Sequence, residues 1–290
     1  MLNAFLRSSQ DGCIYFGDYK IIREAGQGAN AIISKVRHMA TDSKRALKMY
    51  CADDLGEEHA LKEFVRESKS ATEMVHPNIV RVFQADIIGD VPYVVMEFVT
   101  GYDMAQLMER YGPLEQFDVL AIMSYVMDAL DYVWNSFLMI HRDVKPSNIL
   151  LDKDGNVKVF DFGLVTGHES AAVDLDVIEG TPYYLSPESL IQGSHLDNRS
   201  DLYASGSTMY HLIAGVPPFD YESLDQVVNA RLTEPVPDLR EVFPHAHPDV
   251  AAIIKTLMQT KPEDRYSTAA EAKQDIDLVL AGKNPNLVGN

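Results

Sequence analysis

Eight consecutive residues, His141-Arg142-Asp143-Val144-Lys145-Pro146-Ser147-Asn148, put a base, two cations and a metal-capable amide into one short segment. Asp143 can take the proton of a hydroxyl, Lys145 can stand against a transferring phosphate, and Asn148 can offer its side-chain oxygen to Mg2+. Asp161-Phe162-Gly163 closes the strand-like run KVF, so a carboxylate and an amide oxygen on neighbouring strand ends can converge on one hard cation. Upstream, Gly26-Gln27-Gly28-Ala29-Asn30-Ala31-Ile32-Ile33 lies between two strand-like runs, and its glycines would let backbone approach a phosphate with no Cβ in the way. Ala46-Leu47-Lys48 sets a lysine at a strand centre among apolar residues, with Glu67 on the following helix as a possible partner. Each piece alone has an ordinary reading: a charged loop, a glycine-containing hairpin, a solvent-facing lysine, a chance tripeptide. Their order along one chain carries the weight.

Several elements must position these groups. The first hundred residues hold the strand-like runs YKIIREAG, AIISKVRH, RALKMY, IVRVFQADII and VPYVVMEFV, rich in β-branched and aromatic residues. One helix is expected among them, from about Glu57 to Val75, with Leu61, Phe64, Ser68, Ala71 and Val75 on one face and His76-Pro77-Asn78 as its stop. After Gly101 helical periods dominate, over 103–110, 117–135, 197–214, 223–231, 248–258 and 268–281. Between two of them NILLD and VKVFD flank Lys153-Asp154-Gly155-Asn156, a hairpin signal. The chain therefore reads as a small β-rich lobe, a linker near 97–102, a larger helical lobe and a fraying tail, GKNPNLVGN, with a small ligand expected in a cleft between lobes.

Composition narrows the partners. The 290 residues are 46% hydrophobic and 23% charged, an ordinary globular mixture. A net charge of −18 repels phosphate backbones and anionic membranes, so nucleic acid is not an expected partner. Cys13 and Cys51 are too few for a disulfide framework and read as small inert hydrophobes in a reducing compartment. The N-terminus lacks a signal-peptide core, and the apolar stretch Phe117–Val133 is broken by Asp118, Ser124, Asp128 and Asp131, so it reads as a buried helix. A cytoplasmic protein, or the cytoplasmic domain of a longer chain, with no membrane insertion by this segment, is the expectation.

In sequence and order these segments resemble a protein-kinase catalytic domain, over about residues 18–281. Gly180-Thr181-Pro182-Tyr183-Tyr184 and Ser186-Pro187-Glu188 resemble the end of an activation segment, Ser200-Asp201-Leu202-Tyr203 the start of the central C-lobe helix, and Arg265 the arginine that pairs with the glutamate at 188. The resemblance implies an α+β, bilobal protein-kinase-like fold: a small antiparallel β-sheet N-lobe with one main helix and a larger, mainly helical C-lobe. It divides the chain into an N-terminal extension (1–17), N-lobe (18–99), C-lobe (100–281) and C-terminal tail (282–290). It implies ATP and Mg2+, with Mn2+ as a substitute, and transfer of the γ-phosphoryl group to Ser/Thr hydroxyls of protein substrates in signalling, with autophosphorylation. Lys145, Thr181 and the wording HRDVKPSNILLD are similar to serine/threonine enzymes of the bacterial eukaryotic-like (Hanks-type) group.

By that resemblance, Ala25, Gly26, Gly28 and Ala31 cover the phosphates, Lys48 holds the α- and β-phosphates, and Glu67 holds Lys48. Ile33, Ala46 and Leu150 sandwich the adenine, Met96 is the gatekeeper, and Glu97 and Val99 offer backbone groups. Asp103 meets the ribose or a basic substrate side chain. Asp143 orients the acceptor hydroxyl and takes its proton, Lys145 neutralises the γ-phosphate, and Asn148 and Asp161 hold the metal. Phe162 stacks on His141, and Asp201 caps amides beneath the loop. His195 and His211 read as ordinary surface or packing histidines. Two departures stand out. Ala31 replaces the third loop glycine, and the loop after Gly163 offers only Thr166 and Ser170 as hydroxyls before an acidic run, Asp174–Glu179. One expectation is that a carboxylate of that run stands in for a loop phosphate near Arg142; the other is a solvated acidic loop. A nucleotide-binding scaffold and a small-molecule kinase are the competing readings. The full polar set argues against the first, and Thr181, Pro182 and Ser186-Pro187-Glu188 against the second.

Overall fold

Runs of β-branched and aromatic side chains, which fit a pleated strand, are what make sheet of the strand-like segments in the first hundred residues. The computed structural model describes residues 6–8, 13–27, 31–50, 70–89, 91–162 and 182–287. Their contacts divide into two compact units, one of residues up to 76 together with 80–100, the other of 77–79, 101–162 and 182–287.

The first unit is a seven-stranded antiparallel sheet: β1 (Leu6–Ser8), β2 (Ile14–Phe16), β3 (Tyr19–Gln27), β4 (Ala31–His38), β5 (Lys44–Tyr50), β6 (Val82–Ile88) and β7 (Val91–Glu97), in the order β1-β2-β3-β4-β5-β7-β6. Phe16, Tyr19, Val36, Leu47, Met49, Val91, Tyr93 and Val95 pack as one cluster. In β5 and β7 its members fall at every second position, so Ala46, Lys48, Val94 and Met96 lie on the opposite face. The N-terminal extension supplies β1 and β2, two strands the sequence pattern did not announce. Of the expected helix from about Glu57 to Val75, residues 70–75 are described: 70–73 are helical, and 74 and 75 are not, so it ends two residues before its expected end at Val75.

The second unit is helical: α1 (Met104–Tyr111), α2 (Gln116–Phe137), α3 (Asn198–Ala214), α4 (Leu224–Thr233), α5 (Leu239–Val242), α6 (Pro248–Leu257) and α7 (Ala269–Leu280). The caps explain the starts. Asp103 and Gln106 form a capping box at α1, Ser223 and Gln226 another at α4, and Thr268 caps α7. Most of the apolar positions of the run 117–133 are buried in α2, with Phe117 and Tyr125 exposed, and α3 is buried continuously from Ser200 to Tyr210. Among the described residues no helix is long and apolar enough to cross a membrane.

A small sheet carries the hairpin: β8 (Gly101–Asp103), β9 (Ile149–Asp152) and β10 (Val157–Val159), ordered β10-β9-β8. Asp152 Oδ1 accepts from the amides of Asp154 and Asn156, both at 2.8 Å, and Gly155 adopts φ +86°, so the Asp-Gly turn closes as its composition requires. The end of the chain differs from expectation. The tail does not fray through residue 287, because the amides of Asn286 and Leu287 each donate to the buried Asp275 carboxylate at 2.8 Å.

Gly101 is where β8 meets β9 most tightly: a Cβ there would lie 2.0 Å from the Leu151 carbonyl oxygen and 2.7 Å from Asp152 Cα. Backbone cannot yield as a flexible side chain would, so Gly101→Ala is expected to cost about 2 kcal/mol or more. Gly26→Ala, whose added Cβ has nothing within 4 Å, should change stability by less than about 1 kcal/mol. Urea denaturation of the two variants checks the contrast.

Candidate active site

The segment 141–148 has no regular structure of its own before the short 3-10 turn Pro146–Asn148, so side chains must hold it. The buried Asp201 of α3 does so: its carboxylate accepts from the His141 amide at 2.6 Å and the Arg142 amide at 2.8 Å. Burial pushes the Asp201 carboxyl up, against the pull of His141, Arg142 and these two bonds. Thr208, two turns along α3, donates to the Val144 carbonyl at 3.2 Å. His141 is locked from both ring nitrogens: Nδ1 accepts from the Asp143 amide at 3.2 Å, so Nε2 carries the proton donated to the Phe160 carbonyl at 2.9 Å. Its ring packs edge-on against Phe162 with centroids 4.4 Å apart.

On this frame three polar side chains converge. Asn148 Nδ2 donates to the Asp143 carbonyl at 2.7 Å and to Asp143 Oδ2 at 2.8 Å, and Lys145 Nζ lies 2.7 Å from the same Oδ2. Asn148 is buried, whereas the Asp143 side chain is 49% exposed, so the carboxylate is held yet reachable. Because the Asn148 amide nitrogen is committed, its oxygen is the atom left to meet a cation. The hairpin brings Asp161 to the same end: the Phe160 amide donates to the Asn148 carbonyl at 3.1 Å, and Val159 pairs with Ile149. Arg142 and Asp161 both take left-handed backbone, φ 66° and 70°, a conformation that non-glycine residues keep only where their surroundings enforce it.

The remaining expected ligand contacts fall on both units. In the first, Ala31 and Ile33 (β4), Ala46 and Lys48 (β5) and Met96 (β7) occupy alternate positions along adjacent strands. Gly26 pairs with Ile33, Ile33 with Lys48, and Ala46 with Met96. Ala25 sits in the irregularity between Glu24 and Gly26. Lys48 Nζ lies 5.0 Å from the Tyr50 ring centroid. The Glu97 amide donates to the Arg81 carbonyl at 2.8 Å, and Val99 follows in the irregular stretch after β7. In the second unit Asp103 pairs with Leu150. Asp103 has a duty that its spacing did not disclose: Oδ1 accepts from the Gln106 amide at 2.8 Å as the α1 cap. Burial raises the Asp103 carboxyl against those amide bonds. Gly28, Glu67, Thr166, Ser170, Thr181, Cys51 and the acidic run 174–179 lie outside the described residues.

Beyond residue 182 the chain is fastened to the helices. Arg265 and Glu188 form a bidentate pair, Nη1 to Oε1 at 2.7 Å and Nη2 to Oε2 at 2.8 Å. The other three Arg265 donors reach the carbonyls of Gln259 (2.7 Å), Arg199 (2.8 Å) and Thr260 (3.1 Å), which satisfies all five N–H groups of a side chain that is fully buried. Ser200 Oγ adds a bond to Glu188 Oε1 at 3.0 Å. Sequence reasoning did not find three further contacts. Ser207 donates to the Tyr183 carbonyl at 2.7 Å, Tyr184 Oη lies 2.6 Å from His211 Nδ1, and Arg231 Nη1 donates to the Leu185 carbonyl. His211 is thus a specific partner of Tyr184 rather than generic packing, and burial lowers its pKa.

A loop that holds one carboxylate between an amide and an ammonium, with a second carboxylate at the adjoining strand end, suits transfer of a strongly anionic group to a hydroxyl. The chain belongs to the protein kinase domain family, whose profile matches residues 19–276. Serine/threonine-protein kinase PrkC of Bacillus subtilis is 33% identical over 261 residues, covering 90% of this chain and 40% of PrkC. Serine/threonine-protein kinase PknL of Mycobacterium bovis is 30% identical over 280 residues, covering 96% of this chain and 70% of PknL. The crystal structure of the Mycobacterium tuberculosis PknI kinase domain superposes with TM-score 0.73 at 27% identity, over 91% of this chain and 96% of that one. A Rad53 fragment crystallised with AMP-PNP gives TM-score 0.74 at 27% identity, over 89% of this chain and 64% of that one. The relatives thus include the bacterial serine/threonine kinases anticipated from the motifs. The chain spans about 40% of the length of PrkC.

The Glu188–Arg265 pair carries a stability prediction. Burial works to raise the Glu188 carboxyl, but the Arg265 hydrogen bonds and charge outweigh it, and its pKa lies below the usual carboxylate value. A depressed carboxyl contributes stability above its unfolded pKa, near 4.5, and loses it as the pH falls through the folded value. Glu188→Gln strands a buried guanidinium and should cost about 3–5 kcal/mol at pH 7. The difference from wild type should narrow below about pH 4.5. Denaturation midpoints measured from pH 7 to pH 3 check both parts.

Proposed function

We propose that this chain is an ATP-dependent protein kinase domain that transfers the γ-phosphoryl group to serine or threonine hydroxyls of protein substrates, with autophosphorylation, in signalling. The observation that carries the reading is the arrangement of Asp143 with Asn148 and Lys145, each 2.7–2.8 Å from the same carboxylate oxygen. We assign residues 18–99 to the N-lobe and 100–281 to the C-lobe.

The donor set fits a divalent ion. One amide oxygen (Asn148) and one carboxylate (Asp161), with phosphate oxygens completing the shell, suit Mg2+, which keeps few protein ligands. Among the described residues no group of three His, Cys, Asp or Glu side chains is placed to hold a metal. When bound, the ion neutralises charge that builds on the phosphate oxygens.

This chain's own residues supply the rest. Gly26, Gly28 and Ala31, with Ala25 beside them, would cover the phosphates, and Lys48, positioned by Glu67, would hold the α- and β-phosphates. Ile33, Ala46, Met96 and Leu150 would enclose adenine. The Glu97 amide is already bonded to Arg81, so the hinge donor falls to Val99. Asp103, with one oxygen capping α1, keeps the other for a ribose hydroxyl or a basic substrate side chain. Asp143 accepts the proton of the acceptor hydroxyl as its oxygen bonds to the γ-phosphorus and the bond to the ADP oxygen breaks. Lys145, beside Asp143, offsets charge on the group in transit. The segment 182–190 would be the surface on which the acceptor polypeptide lies.

Asp143→Asn keeps the Asn148 contact but cannot take a proton. Transfer of radiolabelled phosphate from ATP to a basic protein acceptor should fall at least about 100-fold, with nucleotide binding retained. Phosphoamino-acid analysis should show phosphoserine or phosphothreonine. Equal labelling by wild type and variant, or label confined to tyrosine, contradicts the reading.

A further inference from the structure

Two fully buried arginines bond to the segment 183–188 and lie against Tyr203, whose ring centroid is 4.9 Å from the Arg265 guanidinium and 5.4 Å from that of Arg231. They differ in one respect. Arg265 is matched by Glu188 and has every donor satisfied. Arg231 faces two aromatic rings, Tyr203 and Phe219, and meets no carboxylate at ion-pair distance among the described residues. Among the described residues its Nε has no hydrogen-bond partner. A buried cation without a counter-ion is expensive, and a hydrophobe of similar volume would fill the same space at less cost. What its donors reach therefore indicates its role. Nη1 donates to the Leu185 carbonyl, and Nη2 donates to Ser207 Oγ at 3.3 Å. The Ser207 hydroxyl in turn donates a hydrogen bond to the Tyr183 carbonyl at 2.7 Å. Both donors end on the backbone of one short segment, directly or through one hydroxyl. Between those two carbonyls, Tyr184 is tied by its hydroxyl to His211.

We infer that Arg231, acting through Ser207 and the Leu185 carbonyl, is a positioning residue that sets the backbone of residues 183–185 for the acceptor polypeptide and thereby governs its KM. The inference rests on the reading of 182–190 as the acceptor surface. Arg231 does not touch substrate. It fixes two carbonyls whose neighbouring groups would.

Steady-state kinetics on the whole chain, with ATP and myelin basic protein as the acceptor, test it. Arg231→Met removes all donors and keeps an apolar stem; the acceptor KM should rise about tenfold or more while the KM for ATP stays within about twofold. Ser207→Ala should shift the acceptor KM the same way by a smaller factor. Arg231→Lys, with one donor able to reach Leu185, should recover part of the loss. A merely structural role would lower the folded fraction without separating the two KM values. If Arg231→Met does not fold, Ser207→Ala and Arg231→Lys carry the test. An unchanged acceptor KM in the folded variants, or acceptor and ATP KM rising together, overturns the inference and leaves the proposed function standing. No transfer by the wild-type chain overturns the proposed function and the inference with it.

Discussion

A loop with little regular structure of its own has to be held from outside as well as by its own side chains, and the buried Asp201 carboxylate anchors its start. Its two oxygens take the amides of His141 and Arg142, and from that point the loop geometry follows. Arg142 is kept in left-handed backbone, the His141 ring is turned so that both nitrogens bond, and Asp143 is delivered next to Asn148 and Lys145. The carboxylate sits in α3, the most enclosed helix of the second unit, so the loop inherits the rigidity of a packed element. Burying a carboxylate costs free energy, and the charge-assisted bonds to two amides offset that cost only while both are made.

The same logic recurs farther along α3. Ser200, Ser207, Thr208 and His211, hydroxyl and imidazole side chains on an otherwise packed helix, all spend their polar atoms on loops: on Glu188, on the Tyr183 carbonyl, on the Val144 carbonyl and on Tyr184. One helix thus sets the backbone of both the segment that would do the chemistry and the segment that would receive the acceptor. For a protein with a net charge of −18, the cations in these segments are few and specifically placed. Lys145 is paired with Asp143, Arg265 with Glu188, and Arg231 with carbonyl and hydroxyl oxygens.

Much of this was legible in the residues. The β-branched and aromatic runs AIISKVRH and VPYVVMEFV, the helical periods of 117–135 and 197–214, and the Asp-Gly turn each correspond to the observed element within a few residues. The site motifs were legible because their chemistry is local: Asp143, Lys145 and Asn148 lie within six residues, and the hairpin that carries Asp161 is built from adjacent strands. Contacts that depend on long-range packing were not. Arg231 lies 46 positions from Leu185, Ser207 24 from Tyr183, and His211 27 from Tyr184, and none carries a local pattern that distinguishes it from an ordinary helix residue. β1, β2 and β8, three residues each, are too short for a periodicity to show. The tail looked free because its anchor, Asp275, is a single carboxylate on α7 whose ligands are backbone amides.

The central claim is that Asp201 holds the loop through two amide bonds, and native-state hydrogen exchange reads those amides directly. In the wild-type chain the His141 and Arg142 amides should exchange about as slowly as those of α3 itself. In Asp201→Ala their protection should fall about tenfold or more, as expected for the loss of a bond to a charged group, while amides in α2 and α6 keep theirs. Wild-type amides at 141 and 142 that exchange at the rate of exposed turns, or protection unchanged in a folded Asp201→Ala chain, would contradict the account.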